Sequence, residues 1–205
     1  FKEDNQSEIL SMISYDLDSP LMKEEKNFKN LLTPKMSIRY SPNASKNLKN
    51  EDRSLNINNV FSLNRIGFAE TIEGGTSLTI GIDYEKKNED NNNFLSSKIA
   101  TVYRDEINED LPLSSTLGEK QSDLIGEIIY NPNQNLEFNY NYSLDSDLDK
   151  VNLHEFKNVF KVNNFINTFS FYEENNLIGD KSYYENEFKF NLDQNNSLSF
   201  KTRNN

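Results

Sequence analysis

Few residues in this chain have types and spacings suited to chemistry. Asp105-Glu106 and Glu109-Asp110 place four carboxylates within six positions, and hard divalent cations take such oxygens. The spacing matches no calcium-binding loop of the helix–loop–helix kind, and a solvated loop is the simpler reading. His154 is the sole histidine in a chain without cysteine, so it has no second soft ligand with which to share a metal. No serine or cysteine motif offers it a nucleophile to activate. Glu185 and Glu187 are the residue types of a glycosidase pair. Two apart on a strand, they share one face, which a wet surface explains without catalysis. Gly74-Gly75 leads into a strand rather than a helix, so it reads as a hairpin feature and not a phosphate cradle. The sequence therefore predicts no enzyme, no metal and no cofactor. With 22 basic against 33 acidic residues and a net charge of -11, it offers no basic patch for nucleic acid.

The elements that hold these residues show a period of two. From Asn135 to Asp145, Leu136, Phe138, Tyr140, Tyr142 and Leu144 alternate with Glu137, Asn139, Asn141, Ser143 and Asp145. From Thr76 to Glu85, Leu78, Ile80, Ile82 and Tyr84 oppose Ser77, Thr79, Gly81, Asp83 and Glu85. Tyr184, Phe188, Phe190 and Leu192 oppose Glu185, Glu187, Lys189 and Asn191, with Asn186 interrupting the apolar side, and Leu198 and Phe200 continue the pattern. Such alternation marks strands with one apolar and one polar face. Weaker signals predict strands at Met36–Ser41, Ile57–Arg65, Leu95–Arg104, Gln121–Asn131, Val151–Phe160 and Asn164–Glu174. That makes ten, with an eleventh at Glu8–Tyr15. The 14 Phe and 10 Tyr argue against a solvated coil, and 33 asparagines suit turns and wet faces.

Ten residues at about 3.3 Å each, tilted about 45°, rise roughly 23 Å, close to the roughly 25 Å apolar band of an outer-membrane barrel. Soluble strands are typically shorter, about 5–6 residues. Short turns at 131–135, 161–163 and 193–196 alternate with longer charged links at 105–120, 146–150 and 175–181, as barrel turns and outer loops do. The long stretch Pro42–Asn56 falls on the short-turn side by this parity and breaks the rule. The fold expected is all-β: an antiparallel transmembrane β-barrel, a meander of about ten strands forming part of a larger barrel. The chain starts at Phe1 rather than Met, so residues 1–205 are expected to be one partial barrel domain.

One stretch carries more than a pattern. Asn59-Val60-Phe61-Ser62-Leu63-Asn64-Arg65 is followed by Glu73-Gly74-Gly75 and the strand Leu78–Tyr84. It resembles the "N-(L/V)-F-S-x-N-R" and "E-G-G" signature of the LptD family of lipopolysaccharide-assembly barrels, with Asn59, Phe61, Ser62, Asn64, Arg65, Glu73, Gly74 and Gly75 on the motif positions. Upstream, the run from Leu32 through Pro34, Tyr40 and Ser41 to Pro42 resembles the family's "L-x-P-x-x-x-x-x-Y-S-P" strand. The likeness spans roughly residues 20–205.

The resemblance implies a large barrel that assembles lipopolysaccharide into the outer leaflet of a Gram-negative outer membrane. It further implies an LptE-like lipoprotein plug in the lumen, and a periplasmic jellyroll, outside this stretch, that meets the periplasmic lipopolysaccharide bridge. The strands that flank the family's lateral opening also fall outside it. Family members often carry cysteines that tie barrel to periplasmic domain; this stretch has none. On this reading Leu78, Ile80, Ile82, Tyr84, Leu136, Phe138, Tyr140, Tyr142, Phe188 and Phe190 face lipid. Thr79, Asp83, Glu137, Asn139, Asn141, Glu185, Glu187 and Lys189 face the lumen. Tyr130, Tyr142 and Tyr184 suit an aromatic girdle. Arginine is expected to impair assembly at Ile80 and to be tolerated far better at Thr79. Two alternatives remain on the residues alone: a soluble or surface-anchored β-sheet module of adhesin type, and another outer-membrane barrel such as a porin.

Overall fold

The computed structural model describes residues 9–89, 92–193 and 195–205. They form one antiparallel sheet of eleven strands. In chain order these are β1 (Ile13–Asp18), β2 (Leu21–Glu24), β3 (Phe28–Ser41), β4 (Gly75–Asn88), β5 (Asn93–Arg104), β6 (Leu124–Asn133), β7 (Leu136–Leu144), β8 (Val151–Val162), β9 (Phe165–Asn175), β10 (Asp180–Asn191) and β11 (Ser197–Asn204). From β3 onward each strand pairs with the next, while β1 and β2 lie end to end along the free side of β3. The sheet is not closed: β1 with β2 forms one edge and β11 the other.

The β1–β2 break has a local cause. Pro20 lies between the two strands and has no N–H to add to a ladder, directly after Ser19, whose N–H donates to the Pro34 carbonyl of β3 at 3.1 Å. Pro132 lies inside β6 rather than in the turn expected there. It occupies a register shift between Tyr130 and Asn133, a position that tolerates proline. The turn itself is Gln134-Asn135, and in the β8–β9 hairpin Asn163 takes the left-handed conformation (φ 51°) that asparagine accommodates. Gly126 lies beneath the Tyr142 ring of the neighbouring strand, where a β-carbon would collide with that ring. An aromatic side chain here covers a glycine across the ladder.

Two expectations are corrected. Ile57–Arg65 is not a strand but a run of turns within a 33-residue connection from β3 to β4. The first strand is Ile13–Asp18 rather than Glu8–Tyr15, and Glu8 lies outside the described residues. Removing the Ile57–Arg65 strand shifts the parity by one. The links at 42–74, 105–123, 145–150 and 176–179, which include the three longest, then leave one end of the sheet, and those at 89–92, 134–135, 163–164 and 192–196 leave the other. The anomaly of Pro42–Asn56 disappears, because alternation fails there for want of a strand. Gln194, within the expected turn at 193–196, also lies outside the described residues.

Candidate functional site

The 42–74 connection folds back over the polar face of the sheet. Its apolar residues Leu48, Leu55, Val60 and Ile66 join Leu111 and Leu117 from the 105–123 link, and pack on Ala100, Val102 and Ile125 of β5 and β6. This is the principal buried core among the described residues. The two long links also bond directly: Leu48 N–H donates to Asp110 O at 2.7 Å, Leu113 N–H to Lys49 O at 3.1 Å, and Asn108 Nδ2 to Ser45 Oγ at 3.0 Å.

A buried charge cluster pins this loop to the strands. Arg65 embraces the Glu73 carboxylate with Nε and Nη2, both at 2.5 Å. It also donates to Thr79 Oγ1 at 2.9 Å and Ser77 Oγ at 2.8 Å on β4. Arg104 at the end of β5 bridges Glu73 and the Gly74 carbonyl. Arg39 of β3 completes the group, donating to Ser37 Oγ at 3.3 Å and Val60 O at 3.4 Å. All four charged side chains are buried. Bidentate Arg–carboxylate pairing suits such a place, because it satisfies both oxygens in one fixed geometry.

The neighbouring residues fit the same purpose. Asn59 Nδ2 donates to Ser54 O at 2.9 Å, and its Oδ1 accepts the Asn56 N–H at 2.9 Å. Asn64 closes the next turn, donating to Phe68 O at 2.7 Å and accepting the Gly67 N–H at 2.9 Å. Ser62 N–H donates to Asn59 O at 2.8 Å. Gly74 lies so close to Asn43 that any β-carbon would strike the Asn43 carbonyl, and Gly75 has φ +85°, which disfavours a side chain. Phe61 lies over Gly81 of β4, where a β-carbon would come within 2.9 Å of its ring and 2.8 Å of Ile99 O. Lys35 caps the same ring from 4.8 Å. Gly81→Val should therefore displace Phe61 and expose the loop. Limited proteolysis of the full-length protein in detergent should then cut within 42–74 several-fold faster, whereas an unchanged rate would deny Gly81 this role.

The family described as LptD, LPS transport system D, matches residues 2–200. The chain belongs to the LptD family. A search of curated proteins gives no match. The eight LptD-signature residues named from the sequence are thus the residues of the folded loop and its anchor, where the sequence reading expected a strand and a turn.

The register also divides the LptD-family sheet into two faces. Tyr84, Ile128, Tyr140, Phe156, Phe171 and Tyr184 stand in one cross-strand row. Leu78, Ile80, Ile82, Leu136, Phe138, Tyr142, Phe188 and Phe190 share their face by the same pairing. Much of this face is uncovered: Ile80 is 40% exposed, Ile82 44% and Phe190 47%. Ring contacts run from Phe28 through Phe94, Tyr130, Phe138 and Phe156 to Phe169, with centroids 5.3 to 6.4 Å apart. Tyr142 stacks on Tyr140 instead, and Tyr184 lies outside that run. His154 is on the apolar side, its Nδ1 2.8 Å from Tyr140 Oη.

Thr79, Asp83, Glu137, Asn139, Asn141, Glu185, Glu187 and Lys189 lie on the opposite face. There Lys35 pairs with Asp83 at 3.6 Å, Lys98 with Glu127 at 3.6 Å, and Lys201 with Glu185 at 2.8 Å. Thr79 is corrected as a site that tolerates arginine: it is fully buried against Arg65, so a second guanidinium would meet the first. In the acidic stretch, Asp105 accepts the Thr76 and Glu106 N–H groups and Glu109 pairs with Lys49 at 3.5 Å.

Burial by itself would raise the Glu73 carboxyl, but hydrogen bonds and charge from Arg65, with Arg104 and Arg39, outweigh it and hold the group below its ordinary value. The stability Glu73 contributes is fully present above the unfolded glutamate value of about 4.3 and is lost as pH falls through its lower folded value. Hydrogen exchange at 42–74, corrected for intrinsic rates, should show a closed loop from pH 7 to pH 5 and opening only below about 4. Opening between pH 6 and pH 5 would contradict the assignment.

Proposed function

We propose that the chain is part of a transmembrane β-barrel in the outer membrane of a Gram-negative cell, and that its parent protein assembles lipopolysaccharide into the outer leaflet as a non-enzymatic conduit. The observation that carries this reading is the two-faced sheet in a member of the LPS transport family. An uncovered apolar face spans successive strands, from Ile38 and Tyr40 on β3 to Leu198 and Phe200 on β11. Soluble monomers rarely expose contiguous apolar patches larger than a few hundred Å², whereas a membrane barrel needs such a band outside and polar residues inside. This favours a membrane barrel over an adhesin-like soluble module. No helix among the described residues is long and apolar enough to cross a membrane, and barrel strands cross without one.

On this reading the residues from Leu78 to Tyr84 and from Leu136 to Tyr142 on the apolar side, with Phe188 and Phe190, face lipid. Tyr130, Tyr142 and Tyr184 belong to an aromatic girdle. The long links lie on the outer side and the short turns on the periplasmic side. The lumen is partly filled by the protein's own 42–74 loop. The loop touches the near ends of β9 and β10, through Ser54 on Glu174 and Asp52 on Lys181; beyond it the polar face of β8 to β11, with Lys157, Glu185, Glu187 and Lys189, is the surface available to an LptE-like plug. The periplasmic lipopolysaccharide bridge would meet the parent protein through its N-terminal domain.

Depletion of the full-length protein tests the role. Lipopolysaccharide exposed at the cell surface should fall while the lipid accumulates at the inner membrane; unchanged surface lipopolysaccharide would refute the assignment.

A further inference from the structure

A cavity of about 560 Å³ lies between the two long links and the polar face of β6 to β9, within the roughly 300–1,000 Å³ of ligand pockets. Ile107, Leu113 and Leu153 supply accessible apolar walls, over the buried Leu55, Leu111 and Ile125. Two buried carboxylates also line it, and their partners differ. Glu174 accepts from Tyr172 Oη at 2.6 Å and lies 3.7 Å from the Lys181 ammonium. Asp123 accepts from Ser143 Oγ at 2.6 Å and Asn152 Nδ2 at 2.9 Å, both through Oδ2. Among the described residues no cation pairs with Asp123, and no donor reaches its Oδ1. A carboxylate only 7% exposed with neutral partners alone is costly to bury, and a cation beside it would offset that cost. The rim repeats the sign: Glu109, Glu119, Asp145 and Asp180 outnumber Lys49 and Lys150.

We propose that this cavity binds a small amphiphile bearing a protonated amine, with Asp123 Oδ1 as counter-ion and the leucine and isoleucine walls taking the apolar body. An anionic amphiphile is repelled by the rim, and a neutral one of the same shape leaves Asp123 unpaired. The site does not depend on the transport role, though it needs the folded strands and links that build it.

The test uses the full-length protein in detergent and ligand-observed saturation-transfer NMR, with hexylamine, hexanol and hexanoate as probes. Hexylamine should bind saturably, and more tightly than either of the others. Asp123→Asn keeps the shape and an acceptor for Ser143 and Asn152 but removes the charge. It should weaken hexylamine about tenfold, the size of a lost charge-assisted hydrogen bond, and leave hexanol unchanged. Glu109→Gln, at the rim and already paired with Lys49, should change hexylamine binding less than about twofold. Heat-shifted gel mobility reports the barrel separately, so a folded Asp123→Asn protein that binds all three probes as the wild type does overturns the site and leaves the barrel standing. No saturable hexylamine binding to the folded wild type overturns it too. Loss of the heat shift in the wild type would strike the barrel reading instead.

Discussion

Glu73→Gln is expected to release the 42–74 loop from the sheet and to cost about 3–5 kcal/mol, the range for removing one partner of a buried ion pair. Three guanidinium groups, from Arg39, Arg65 and Arg104, surround this one carboxylate. The amide leaves them buried against one another with no anion. Arg39→Gln is expected to cost much less, because Arg39 makes no hydrogen bond to Glu73 and its Nη1 has no partner among the described residues. It also removes a like charge. Urea unfolding of the full-length protein in detergent, with proteolysis of the loop in parallel, measures both. Equal losses in the two variants would show that packing, not charge, holds the loop.

Ile80→Arg is expected to impair barrel assembly, with a cost of about 2–4 kcal/mol for an arginine at the bilayer midplane. Ile80 stands on the uncovered apolar face. Asn141→Arg provides the matched charge on the other face. It lies between Glu127 and Glu155 in the cross-strand row, so the new guanidinium gains carboxylates on both sides. Heat-shifted mobility should be lost or slowed for Ile80→Arg and near wild type for Asn141→Arg. Equal assembly of both would refute the assignment of the faces. Thr79→Arg does not serve this comparison, since the 42–74 loop buries Thr79 beside Arg65.

Much of the sheet was legible in the residues because a strand writes its environment at every second position. Thr76–Glu85 and Asn135–Asp145 alternate without a break, and their apolar sides lie on one face of the sheet throughout. The turn chemistry of Asn163 and Asp193 is likewise local, set by what a single asparagine or aspartate does to its own backbone. The LptD signature could also be read from its letters.

What those letters do was decided by tertiary structure. Val60, Phe61 and Ile66 resemble a strand, but they are apolar because they cover Gly81, Ala100 and Val102 from across the sheet. No period records a contact made by an irregular loop. Arg65 and Glu73 are eight residues apart and read separately, one at the end of a strand and the other in a turn. Only the fold brings Arg104 and Arg39 to them and makes the four a buried cluster. Alternation could likewise divide polar from apolar side chains, yet not foresee that the polar face holds the core. A strand's pattern reports which side is wet or dry on average, whereas the loop that dries part of the wet side arrives from elsewhere in the chain.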